Sequence, residues 1–130
     1  MQLNIEPSSS WPVYVQVIDQ IKRDIALSRL VEGDRLPTVR DLAIRLAINP
    51  NTIAKAYREL DLKGVITSKR GNGSFVSEAA LDIPKLSAKQ RRVRLEGLFG
   101  RILAEAKLEG IGERELLHYV QERMEENDTV

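Results

Sequence analysis

A chain of 130 residues, 42% apolar and 30% charged, has room for one domain, or for one domain with a short helical extension, and has the make-up of an ordinary globular protein. It holds no cysteine and a single histidine, which removes disulfides, thiolate zinc sites, cysteine nucleophiles and multi-histidine metal centres. The net charge of +1 hides an asymmetry: residues 36–77 carry seven Lys and Arg against three acids, whereas residues 78–130 carry nine against eleven, so a basic working region precedes an acidic-to-neutral accessory one.

No apolar run approaches the roughly 20 residues that span a bilayer. The first residues, MQLNIEPSSSWP, lack the basic start and apolar core of a signal peptide, so the expected location is the cytoplasm, away from any membrane. From Ser10 to Leu30 a serine cap and Pro12 open a first helix, with Tyr14, Val17, Ile18, Ile21 and Ile25 at helical spacing. Gly33 and Asp34 then favour a turn, and Pro37 forces Leu36 into an extended link or short strand. Thr38 can cap a second helix, with Asp41 placed as the acid of a capping box and Val39, Leu42, Ala43 and Leu46 as its apolar face, ending near Ala47.

Asn49 and Pro50 repeat the start signal, and Ile53, Ala56, Tyr57 and Leu60 give a third helix its buried stripe before Gly64 ends it. About three residues separate the second and third helices, the spacing of a helix-turn-helix whose second helix enters the major groove. Two β-prone runs, Val65 to Lys69 and Ser74 to Ser77, join through Arg70-Gly71-Asn72-Gly73 as a hairpin. A lone hairpin is marginal, so Val65, Phe75 or Val76 must pack on the helices and leave the basic tip open. Residues 78–87, with Pro84, read as a linker. Beyond it Leu95, Leu98, Phe99, Ile102, Leu103 and Ala106 fit an amphipathic helix, and Leu116, Leu117, Val120 and Met124 a last one.

The expected architecture is therefore mainly α: a winged helix-turn-helix domain with a two-stranded β-wing over 1–77, a linker over 78–87 and a helical element over 88–130. Three blocks, LPTVRDLA (36–43), INPNTIAKAYREL (48–60) and GVITSKRGNGSFV (64–76), in this order and spacing, resemble the GntR family of bacterial transcription regulators over roughly Pro12 to Val76. With only some fifty residues after the wing, the chain is similar to the short YtrA-type branch, whose tail is mainly a helical dimerisation element.

Carried over position by position, the resemblance implies that Arg40, Asn51, Thr52, Lys55, Arg70, Gly71 and Gly73 meet double-stranded DNA. The chemistry fits: arginine can bond guanine O6 and N7 together, asparagine can do the same for adenine, threonine reaches phosphate or a thymine methyl, and lysine suits phosphate or guanine. Wing glycines let backbone approach DNA without a side-chain clash. Pro50 and Ala54 stand where other members can carry arginine, so the family's base-reading pattern does not transfer and the operator stays open. The resemblance also implies a homodimer held through Leu95, Leu98, Phe99, Ile102 and Leu103, a repressor of a palindromic operator, and control of a transporter or envelope-related operon. The same apolar stripe could instead fold back on the winged helix as extra core. A small-molecule effector is left open, and no cofactor is called for.

Other features read more plainly. Arg45, Arg58 and Lys63 fit a solvated helix face, Asn49 a cap, and His118 a helix-surface or interface histidine rather than a metal ligand. Gly71-Asn72-Gly73 lacks the strand-to-helix context of a dinucleotide loop and reads as a hairpin turn. No nucleophile with a base, paired catalytic carboxylates or metal cluster stands out, since Glu113 with Glu115 and Glu125 with Glu126 lie on polar helix faces; an enzyme is not expected. The remaining alternative is a winged helix that contacts protein or RNA. A basic third helix and wing weigh against pure protein binding, and the lack of exposed stacking aromatics against single-stranded RNA.

Overall fold

The computed structural model describes residues 1–78 and 80–128. Its elements are α1 (Val13–Ala26), α2 (Val39–Leu46), α3 (Pro50–Leu62), β1 (Ile66–Lys69), β2 (Gly73–Val76), α4 (Ala88–Leu108) and α5 (Glu113–Asp128). They form two compact units that divide between Ile83 and Pro84.

In the first unit α1 is shorter than the expected span from Ser10 to Leu30. Pro12 sits at the cap position with no side-chain bond to offer, and the Ser9 hydroxyl, not Ser10, accepts from Trp11 N at 3.1 Å. At the other end Ser28 takes a left-handed φ of 59°, while the amides of Arg29 and Leu30 both return to the Asp24 carbonyl and close the helix. Val17, Ile18 and Ile21 still face inward as their spacing requires, and with Leu42, Ile53, Ala56, Tyr57 and Leu60 they make one core around α3.

The segment before α1, read in the sequence only for what it lacks, is structural. Met1, Leu3 and Ile5 pack against the core. Asn4 N donates to Gln20 Oε1 at 2.7 Å and Glu6 N to Gln16 Oε1 at 2.8 Å, while the buried Gln16 amide donates back to the carbonyls of Glu6 and Trp11. Every polar atom of that buried glutamine therefore has a partner, which is the condition for placing it there.

β1 and β2 pair antiparallel, with Ile66 opposite Val76 and Lys69 opposite Gly73. The hairpin gains a third edge from the extended link before α2: Arg35 bridges to Phe75, Leu36 N donates to Ser74 O, Gly33 N to Val76 O and Val76 N to Asp34 O, the three bonds each at 2.9 Å. Val65, Ile66 and Val76 are buried beneath it and Phe75 is half-buried. This pairing and burial overcome the marginal stability of an isolated hairpin.

The second unit is a pair of packed helices. A full capping box starts α4, with Gln90 N donating to the Ser87 hydroxyl at 3.2 Å and Ser87 N to Gln90 Oε1 at 2.9 Å, so the helix begins well before its first apolar stripe residue. Gly110 takes a φ of 82° as the chain turns, and Ile111 N returns to Ala106 O at 2.8 Å. Ala106 is buried, Leu103, Ile111 and Leu116 are half-buried, and Leu95, Leu98, Phe99 and Ile102 remain exposed in the single chain.

Candidate nucleic-acid interface

The Thr38 hydroxyl accepts from Asp41 N at 3.0 Å, so α2 starts as its sequence requires, although the reciprocal carboxylate bond of a full box is not made. Ala47 ends α2 in a left-handed conformation with φ 54°, and Ile48 N returns to Ala43 O at 3.0 Å. Asn49 Oδ1 then accepts from Asn51 N at 2.8 Å and Pro50 takes the first helical place, where its missing amide hydrogen costs nothing. The tight link between two independently capped helices is what makes the pair a helix-turn-helix.

One further bond locks the pair. The buried Tyr57 of α3 donates its hydroxyl to the Pro37 carbonyl, 2.7 Å away and just ahead of α2. Burial raises the Tyr57 phenol well above its ordinary value, a shift that the Arg45 guanidinium opposes, so the hydroxyl stays protonated and able to donate at any physiological pH.

α3 is divided along its length. Ile53, Ala56, Tyr57 and Leu60 are buried, whereas Asn51 and Lys55 are exposed and Thr52 is half-buried. Arg40 is exposed on α2, and Arg70 and Gly71 are exposed at the hairpin tip, where Asn72 N donates to Lys69 O at 2.9 Å. Gly71 and Gly73 adopt φ of 81° and 105°. Among the described residues no carboxylate lies within ion-pair distance of Arg40, Lys55 or Arg70, so all three charges are open to an external anion.

Three contacts around these residues were not anticipated from the sequence. The Arg35 guanidinium lies against Gly73, with Nε 3.0 Å from where a Cβ there would stand. The Lys55 ammonium sits 3.9 Å from the centre of the Tyr14 ring, and Lys69 Nζ 5.1 Å from that of Phe75. Elsewhere His118 Nε2 lies 2.9 Å from a Glu122 carboxylate oxygen, and among the described residues no group of three or more His, Asp or Glu is placed to hold a metal. Among the described residues no helix is long and apolar enough to cross a membrane.

A helix-turn-helix with its polar half open, carried on a core shared with a basic β-wing, defines a DNA-binding transcription regulator of the winged-helix class. The sequence model for bacterial regulatory proteins of the gntR family matches residues 13–76. The chain is 39% identical to the HTH-type transcriptional regulator YhcF of Bacillus subtilis, over 79% of its own length and 89% of that protein. It is 45% identical to the HTH-type transcriptional repressor YtrA of the same organism, over 60% of each chain. Its structure also resembles that of the AraR DNA-binding domain in complex with operator ORX1, with a TM-score of 0.53 and 28% identity over 59% of this chain and 99% of that one. The chain belongs to the GntR family, whose members are transcription regulators and not enzymes.

Proposed function

We propose that this protein is a cytoplasmic repressor that binds a palindromic operator as a homodimer, with the winged helix as its DNA-binding head and α4 and α5 as its dimerisation element. The observation that carries this reading is the division of α3: its apolar half is locked in the core while Asn51 and Lys55 stand exposed, with Thr52 half-buried, at the end that would enter a major groove. Arg40 and Asn51 take the base-reading roles, because each can make a two-point contact with a purine. Thr52, Lys55 and Arg70 bind mainly the backbone, and Gly71 and Gly73 let the wing come close to it.

Repression follows from occupation of a promoter, in keeping with the description of the B. subtilis relative YtrA as a repressor. A transporter or envelope-related operon is the proposed target. Selection of bound duplexes from a random DNA pool, followed by titration of the winner against RNA and single strands of the same sequence, tests the reading. A palindromic duplex preferred by about a thousandfold or more over random duplex is expected. Equal affinity for RNA, or no enriched sequence, overturns it.

A further inference from the structure

We infer that Tyr14, which no DNA-contact motif of the chain includes, is a positioning residue: its ring holds the Lys55 ammonium on the rim of the interface, for a DNA phosphate rather than a base edge. The inference rests on the proposal that Lys55 meets DNA. Tyr14 lies in the first turn of α1, half-buried and packed against the core, so its ring is anchored. Lys55 leaves the exposed side of α3, and the two helices pack directly on each other. The 3.9 Å separation of Nζ from the ring centre is well inside the roughly 6 Å reach of a cation–π contact.

A lysine on an unrestrained stem samples many rotamers and loses that freedom when it binds. With the electron-rich ring on one side, the ammonium of Lys55 is already placed, while Lys55 remains exposed to solvent. That arrangement suits a phosphate, which accepts from a point charge over a wide range of directions. It does not suit base reading, which needs the stem extended into the groove, whereas here the ammonium is drawn back over α1. With no carboxylate in ion-pair range among the described residues, the charge is held ready but not neutralised.

The test uses the full chain with Tyr14→Phe, Tyr14→Leu, Lys55→Ala and the Tyr14→Leu/Lys55→Ala double variant, titrated with the selected operator and a scrambled duplex across a salt series. Tyr14→Phe should match the unaltered protein, because the ring is kept. Tyr14→Leu should weaken both duplexes alike by about two- to fivefold per half-site. Lys55→Ala should weaken both and lower the salt slope by about one per protomer, and the double variant should bind no worse than Lys55→Ala. Additive losses, or a Tyr14→Phe defect as deep as that of Tyr14→Leu, overturn the inference and leave the proposed function standing. A Lys55→Ala variant that binds normally, or that changes one base preference with an unchanged slope, overturns both the phosphate role and the inference. Should leucine at position 14 loosen the fold, the Lys55 ε-methylene protons of the unaltered protein give a second reading by NMR: an upfield ring-current shift is expected, and random-coil values overturn it.

Discussion

The hydroxyl of Tyr57 in α3 reaches the carbonyl of Pro37, 2.7 Å away, and so fixes the spacing of the two helices of the DNA-binding motif through a single partly buried bond. Tyr57→Phe keeps the ring in the core but strands the carbonyl, at a cost of about 1–2 kcal/mol. The same burial raises the phenol's pKa, and the sign of the pH effect follows: the folded protein holds this proton more tightly than the unfolded chain does. The stability is present in full below the unfolded value near pH 10, and falls by about 1.4 kcal/mol per pH unit above it until the folded value is reached. Urea midpoints of the unaltered protein and Tyr57→Phe between pH 8 and pH 11 should converge at the alkaline end. Parallel declines would mean that Tyr57 does not titrate in this way.

At the wing, the two glycines meet different surroundings, and their alanine variants should differ. Gly71 has φ 81° and open space where a Cβ would go, so Gly71→Ala costs only the left-handed backbone, about 1–2 kcal/mol. Gly73 has φ 105°, and a Cβ there would stand 3.0 Å from Arg35 Nε, so Gly73→Ala should cost more and should displace the Arg35 side chain. Combining Gly73→Ala with Arg35→Ala should recover part of the difference in a urea titration. Equal costs at the two glycines, or no recovery, would show that the Arg35 contact does not constrain the wing.

Local signals were legible and distant ones were not. Thr38 and Asn49 could be read as caps because each bonds an amide within three residues of itself, and the stripe from Ile53 to Leu60 could be read because burial follows helical spacing. The Ser10 cap expected from the sequence does not form, because the Ser9 hydroxyl accepts from Trp11 N and the Gln16 amide holds the Trp11 carbonyl. The packing of Met1, Leu3 and Ile5, the bridge from Arg35 to Phe75 and the stacking of Lys55 on Tyr14 all join segments far apart in the chain, and no periodicity announces them. The Ser87 and Gln90 box obeys the same local rule, its two residues three apart and ahead of the apolar residues of α4.

Arg40 and Arg70 should separate specificity from anchoring. Arg40→Ala should cost about 1–3 kcal/mol on the operator and relax preference at one base pair of each half-site. Arg70→Ala should weaken operator and scrambled duplex evenly and lower the salt slope by about one per protomer. Titrations against single-base operator variants, repeated at several salt concentrations, check both. Unchanged discrimination at every position would remove Arg40 from base reading, and an unchanged slope would remove Arg70 from the phosphates.

The helical unit leaves an apolar stripe without cover: Leu95 is 61% exposed, Leu98 48%, Phe99 52% and Ile102 52%. These residues share one side of α4, and in the proposed homodimer a second copy of the same surface, related by a two-fold axis, would bury them and set two heads on the two halves of a palindrome. Linking two weakly binding heads raises overall affinity by about a hundredfold or more without any new contact to DNA. Leu98→Asp with Phe99→Asp puts two charges into that proposed contact and leaves the α4 cap untouched, so the full chain should sediment as a monomer whose affinity for the palindrome falls by about that factor while its half-site preference survives. A fragment ending at Ile83, which keeps Ala80 packed against the core of the first unit, should behave in the same way. A double-aspartate chain that remains a dimer with full affinity would show that the two-fold contact lies elsewhere.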